Sequence, residues 1–135
     1  NKLLIKLTKT RPRHSNDNGL AETKNGAVIR KHIGYIYIPQ KNADPLNKFY
    51  FEYFNDYLNY HRPCGYPETI TDKKGKERKI YPHSGYQVPY ERLKAITGAE
   101  NYLKSGTSFK ELDKEAYLMS HTEYAEKMQK EKQKM

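Results

Sequence analysis

Residues 8–34 read T-K-T-R-P-R-H-S-N-D-N-G-L-A-E-T-K-N-G-A-V-I-R-K-H-I-G, and the order of residue types here lays out a strand, a basic loop and a helix. Threonines alternate with Leu7 and Lys9, which predicts a short strand over residues 7–10. Pro12 disfavours helical geometry at Arg11, so Arg11-Pro12-Arg13-His14 is a loop. Ser15 to Gly19 is turn and cap chemistry, with Asp17 or Asn18 suited to cap the helix beyond it. Leu20, Ala21, Ala27, Val28 and His32 then share one helical face, and Glu22, Asn25, Gly26 and Arg30 share another. Gly34 suits a C-cap. One carboxylate, Glu22, therefore sits one turn inside a helix behind a basic loop. Of the next eleven side chains Lys24, Arg30 and Lys31 are cationic and none is acidic.

Working outward, Asn1 to Ile5 fits the end of a helix with Leu3, Leu4 and Leu7 as its buried side. A chain opening on Asn1 with L-L-I already in register reads as a piece of a longer protein. Downstream, Asp44-Pro45 predicts a helix start with Asp44 as cap. Leu46, Phe49, Tyr50, Tyr53, Phe54, Tyr57 and Leu58 repeat at helical spacing over about 45–60, a stripe that reads as core rather than as a base-stacking platform. Two β-prone runs flank Asp72-Lys73-Lys74-Gly75-Lys76 and predict a small hairpin over 69–81, exposed and basic at its tip. Pro89 opens a short helix through Ile96. Ser108-x-x-Glu111 and Ser120-x-x-Glu123 are capping boxes starting helices over roughly 108–119 and 121–133. The last of these has little apolar surface and is expected to fray.

The 135 residues amount to about one domain with a thin core, because thirteen tyrosines and four phenylalanines carry much of the apolar material. Net charge is +9, and residues 1–34 hold eight Lys/Arg against two acids, whereas residues 107–135 hold six of each. An excess gathered at one end is what a surface meeting a polyanion needs. A single cysteine, Cys64, excludes an internal disulfide and a Cys-rich zinc site, and points to a reducing, cytoplasmic setting. No apolar run approaches membrane-spanning length, so no membrane partner is expected.

Most catalytic chemistries lack their residues. Cys64 and His61, three apart beside a proline, do not by themselves set up an attacking thiolate. The five histidines show neither H-x-x-x-H nor H-E-x-x-H spacing, and no phosphate-cradling glycine motif occurs. Metal-assisted phosphoryl chemistry remains, which needs several carboxylates around divalent ions. Asp17, five residues before Glu22, points about 140° away around a helix. By periodicity alone Glu22 is a first-turn glutamate favourable to the helix dipole.

The stretch T-K-T-R-P-R-H-S-N-D-N-G-L-A-E-T-K-N-G closely resembles the third acidic motif of DDE transposases and retroviral-type integrases. That motif is a strand, an R-P loop, a polar turn, then a helix carrying the catalytic glutamate before an Asn. Glu22 matches the glutamate, and Lys24-Asn25-Gly26 come after it. N-Y-H-R-P-C (59–64) resembles the family's N-x-x-R-P helix end. V-P-Y-E-R-L-K (88–94) resembles its T-P-Y-E-K-L phrase, with Val88 where threonine is usual, and residues 102–113 resemble its C-terminal region. The resemblance implies the C-terminal portion of a bacterial insertion-sequence integrase. Residues 1–34 would then be the last strand and last helix of an RNase H-like α/β domain. The family's two catalytic aspartates lie on earlier strands and neither is assigned here.

The expected fold is mainly α with a small β hairpin. Residues 1–34 end the catalytic core, 35–106 hold the helix, hairpin and short helices, and 107–135 hold the C-terminal helices. The implied site has Glu22 as catalytic metal ligand, with Arg11, Arg13, His14, Lys24, Arg30 and Lys31 contacting DNA. Mg²⁺ or Mn²⁺ is implied only together with the upstream carboxylates, so the chain alone is expected to be inactive. DNA, as transposon ends and target, is the implied partner, and the full-length protein is expected to be a homo-oligomer. Arg62 is expected to hold the helix end rather than touch DNA. Two other readings remain: a non-catalytic nucleic-acid-binding module, and an assembly piece using the aromatic helix as interface.

Overall fold

Asn25 and Gly26 are weak helix formers in the middle of an otherwise favourable run, and the helix widens where they stand. In the computed structural model, which describes residues 2–6 and 11–135, a 3₁₀ turn at Ser15–Asn18 runs straight into a helix, α1, over residues 19–33. The strand expected at residues 7–10 lies outside the described residues. Within α1, Asn25–Ile29 is a π turn, in which the Arg30 N–H donates to the Asn25 carbonyl five residues back. Gly34 ends the helix at φ 94°, its N–H on the Arg30 carbonyl at 2.9 Å, a positive φ that glycine adopts without a Cβ clash. Asp17 does not cap α1, because its carboxylate is engaged by Arg11. Val28 is the buried apolar side chain here. This helix belongs to a compact unit, Ile5–Ala43, distinct from a second made of Asn1–Leu4 and Asp44–Met135.

The second unit is built on the aromatic stripe. A 3₁₀ turn at Gln40–Asn42 leads into helix α2, residues 43–61, so Asp44 lies in the first turn rather than at the cap. This helix is wide at Tyr50–Phe54 and again at Tyr57–His61. Phe54 is only 1% exposed and its ring stacks on Phe49, Tyr50 and Tyr57 at 5.8, 5.4 and 6.5 Å. The stripe is core.

Two antiparallel pairs come next, one nested in the other. β1 (Cys64–Gly65) pairs with β4 (Tyr86–Gln87), and β2 (Glu68–Thr71) pairs with β3 (Glu77–Ile80). Pro67 and Pro82 stand between the pairs, and a proline has no N–H to continue a ladder. The outer pair has no counterpart among the sequence expectations. A Cβ at Gly65 would stand 3.0 Å from the Tyr86 ring, so a larger residue there would have to displace that exposed side chain. The inner pair turns at Asp72–Gly75, with the Asp72 Oδ1 accepting from the Lys74 and Lys76 N–H groups at 2.8 and 3.0 Å. Gly75 supplies the positive φ of 78° that this turn requires.

Three helices complete the unit: α3 (Pro89–Lys94), α4 (Phe109–Ala116) and α5 (His121–Lys134). Both predicted capping boxes are formed, Ser108 with Glu111 and Ser120 with Glu123. Tyr60, Val88, Tyr90, Leu112 and Ala116 make one buried cluster, with Leu103 and Phe109 packed against it. The Tyr90 hydroxyl donates to Asp113 Oδ1 at 2.6 Å, and Lys94 Nζ donates to the same oxygen at 2.8 Å. Lys94 and Tyr90 together hold the Asp113 carboxyl below its ordinary pKa, while burial and Asp113 hold the Tyr90 phenol above its own.

Two expectations are corrected here. Residues 2–5 of the expected helix end are not helical: Leu3 bridges Leu103, with the Leu4 N–H on the Tyr102 carbonyl at 2.8 Å and the Lys104 N–H on the Lys2 carbonyl at 3.1 Å. Backbone pairing with a distant extended segment outcompetes the local helix pattern. Nor does the last helix lack an anchor. Met128 is fully buried, and the Tyr124 ring stacks on His61 at 4.1 Å with planes 10° apart. The described residues are thus mainly helical with two small antiparallel pairs, and no helix among them is long and apolar enough to cross a membrane.

That junction has a pH consequence. His61 is buried at 2% exposure, faces the His121 Nδ1 at 3.4 Å, and lies against the Tyr124 and Tyr60 rings. Burial first, and His121 second, hold its pKa below the ordinary histidine value. Below about pH 6.5 the unfolded chain therefore binds a proton that the folded chain resists, and stability falls with pH through that window. The midpoint of urea unfolding should drop between pH 7.5 and 5.5, and His61→Phe should reduce that drop. An equal pH dependence in the variant would assign the effect to other groups.

Candidate functional site

Arg11-Pro12-Arg13-His14 forms a tight turn, with the His14 N–H on the Arg11 carbonyl at 3.3 Å and Arg13 at φ 64°. Proline second and positive φ third define a type II turn, where glycine or asparagine is the ordinary third residue. Arginine in that place costs about 1 kcal/mol of backbone strain. Asp17 locks the turn: its carboxylate accepts from Arg11 Nε and Nη2, each at 2.8 Å, and from the Arg11 backbone N–H at 3.3 Å. The pair lowers the Asp17 pKa and raises that of Arg11. Asp17 is thereby committed to holding the loop, and Arg11 has its fork filled by a carboxylate.

Glu22 is exposed on α1, and among the described residues its carboxylate has no ion pair or hydrogen bond. In a regular helix Arg30, eight residues on, stands about 80° around the axis from Glu22. One extra residue in the π turn rotates the rest of the helix back by about 100°, which returns Arg30 to within roughly 20° of the Glu22 face. Arg30 is exposed, with its guanidinium over the Tyr35 ring at 5.1 Å from the centroid. The same rotation moves Lys31 from the far side of α1 toward this face, whereas Lys24 precedes the π turn and points away. Arg13, His14, Lys24 and Lys31 are all exposed to solvent. The basic loop and helix thus belong to one unit, with one free carboxylate.

Comparison with protein-family models, curated proteins and solved structures returns no match.

The donor set decides what this arrangement can hold. Magnesium takes oxygen ligands, with one or two carboxylates per ion and water completing the shell. Among the described residues no group of three or more His, Cys, Asp or Glu side chains is placed to hold a metal ion. Glu22 can supply one anionic oxygen, and the described residues alone do not make a two-metal site. A nucleophile is equally unsupported. The Cys64 thiol contacts Arg62, whose Nη1 lies 3.8 Å from Sγ and whose carbonyl lies 3.6 Å from it, while His61 is engaged by His121. Arg62, half-buried just past α2, directs its guanidinium at the Cys64 sulfur.

Sequence reasoning missed three features of the site: the Arg11–Asp17 lock, the Arg30–Tyr35 contact and the π turn. The first had a signal, an Arg-Pro turn with an acid six residues after the arginine. The last had a weak one, in adjacent Asn25 and Gly26.

Proposed function

We propose that this chain contributes the third acidic residue of a DNA transposase or integrase, with Glu22 as a metal ligand and the surrounding cations as phosphate contacts. The observation that carries the reading is the state of Glu22. It is the exposed, unpaired carboxylate of a unit whose other acid in the loop and helix, Asp17, is spent on Arg11. The resemblance of residues 8–26 to the family's third motif gives that carboxylate its role. A two-metal centre supplies activation of the attacking oxygen and stabilisation of the leaving one. Its remaining carboxylates would be the family's two aspartates on earlier strands.

This chain's own residues do something simpler. Arg13, Arg30 and Lys31 bind and orient the sugar–phosphate backbone, with His14 beside them, and Lys24, which points to the other side of α1, meets a phosphate only away from Glu22. Such contacts fix position without reading sequence. The strain at Arg13 fits this reading, since a cation is kept where glycine would relax the turn. Arg11 contributes less, because Asp17 neutralises it.

Salt dependence tests the assignment. Each phosphate contact removed should lower the slope of log affinity against log salt by about 0.9 on duplex DNA. Lys31→Ala and Arg13→Gly should each do so in fluorescence anisotropy titrations, and Arg13→Gly should also raise the thermal midpoint. Arg11→Ala should change the slope by less than either. Unchanged slopes in Lys31→Ala and Arg13→Gly would remove this surface from DNA binding.

A further inference from the structure

The β2–β3 ribbon has a face with no structural use. Alternation along the strands puts Glu68, Ile70, Arg78 and Ile80 on one side, where the two isoleucines are half-buried and Glu68 and Arg78 are exposed. Thr69, Thr71, Glu77 and Lys79 occupy the other, and all four are exposed. The turn adds Lys73, Lys74 and Lys76, also exposed. Among the described residues none of Lys73, Lys74, Lys76, Arg78 and Lys79 has a carboxylate partner, although Lys2, Arg11, Lys48, Lys94 and Lys134 do. Asp72, the acid at the turn, directs an oxygen at backbone amides.

The geometry points to this ribbon as a second DNA contact, its Lys73–Lys76 tip and its Thr69/Lys79 face entering the major groove of a B-form duplex. The inference rests on the proposed reading for its choice of polyanion, and places a contact in the other structural unit. Three considerations favour duplex DNA. A two-stranded ribbon is one of the elements that the major groove of B-DNA admits. Lysine ammonium groups and threonine hydroxyls are donors to phosphate oxygens. Residues 72–79, D-K-K-G-K-E-R-K, contain no apolar side chain, so neither a protein interface core nor a lipid surface would gain hydrophobic burial from them. Glu77 opposes the contact and sets a limit on its strength.

The test uses the full chain, a 24-base-pair DNA duplex and an RNA duplex of the same sequence, followed by anisotropy across salt concentrations. Replacing Lys73, Lys74, Lys76 and Lys79 together by alanine is expected to weaken DNA binding on the order of tenfold or more near 0.1 M salt. The salt slope should fall by about 3.6, at about 0.9 for each of the four lysines, and the thermal midpoint should stay unchanged. RNA should bind more weakly than DNA and lose less in the variant, because the A-form major groove is too narrow to enter. A DNA affinity unchanged in the soluble quadruple variant would overturn the inference, and the lysines would then serve only to protect an exposed strand edge. Equal losses on RNA and DNA would overturn the groove placement. A parallel variant, Arg13→Gly with Lys24→Ala and Lys31→Ala, separates the two ideas. Loss in that variant alone leaves the proposed function standing and removes the ribbon; loss in the quadruple variant alone does the reverse.

Discussion

Phe54→Ala is expected to lower the stability of the larger unit by about 3–5 kcal/mol, the usual cost of emptying a buried phenylalanine site. The reasons are specific to this position. Its ring is 1% exposed and stacks on three aromatic neighbours of the same helix, so truncation loses both transfer free energy and ring–ring contact. A domain of this size has about 5–15 kcal/mol in total, so the variant should be close to unfolding at 37 °C. Phe51 is the internal control, three residues earlier on the same helix but 80% exposed, and Phe51→Ala should stay within about 0.5 kcal/mol of the parent. Chemical denaturation of the two variants separates a core stripe from an exposed aromatic platform. Equal midpoints would mean that the stripe does not hold the unit together.

Legibility in the sequence tracks the range of the physics. Capping boxes are satisfied within four residues, and both were legible at Ser108–Glu111 and Ser120–Glu123. The hairpin is a local turn with alternating strands, and Asp72 and Gly75 announce it. The 3.6-residue spacing of Leu46, Phe49, Tyr50, Tyr53, Phe54 and Tyr57 identified the core helix. Contacts closed by tertiary structure were not legible. Leu3 reads as helix until Leu103 is available to bridge it, one hundred residues later in the chain. Cys64–Gly65 is too short to declare itself a strand without Tyr86–Gln87 opposite. The final helix was read as poor in apolar surface and prone to fray because its packing rests on one methionine and one tyrosine, which composition averages out. At the candidate site Glu22 was legible as a lone helical carboxylate, and only the family resemblance distinguished it from ordinary first-turn chemistry. The Arg11–Asp17 pair was hidden by the expectation that Asp17 or Asn18 would cap the helix. A carboxylate has one set of lone pairs, and a guanidinium fork with a backbone N–H claims them more strongly than helix amides do.

That commitment of Asp17 sharpens the decisive experiment. On the proposed function, and in a chain that includes the two upstream aspartates this function calls for, Glu22→Gln is expected to reduce Mg²⁺-dependent strand cleavage by at least about a hundredfold, the scale seen when one preorganised electrostatic group is removed. Glutamine keeps the size and one neutral oxygen but loses the anionic charge that a hard divalent cation requires. Because Glu22 is exposed and has no partner among the described residues, the replacement breaks no internal contact, and stability should move by no more than about 0.5 kcal/mol. Duplex affinity should be retained, since removing a negative charge beside cations does not weaken phosphate binding. Asp17→Asn is the companion variant with the opposite pattern. It releases Arg11 from a bidentate pair, so it should loosen the loop and lower the thermal midpoint, while leaving a cleavage activity that Glu22→Gln lacks. On the proposed function the two acids should therefore exchange phenotypes: Glu22 would be needed for chemistry and dispensable for folding, and Asp17 the reverse. Cleavage at the parental rate in Glu22→Gln would return Glu22 to the role of a helix-dipole residue and leave a basic loop that binds DNA without acting on it.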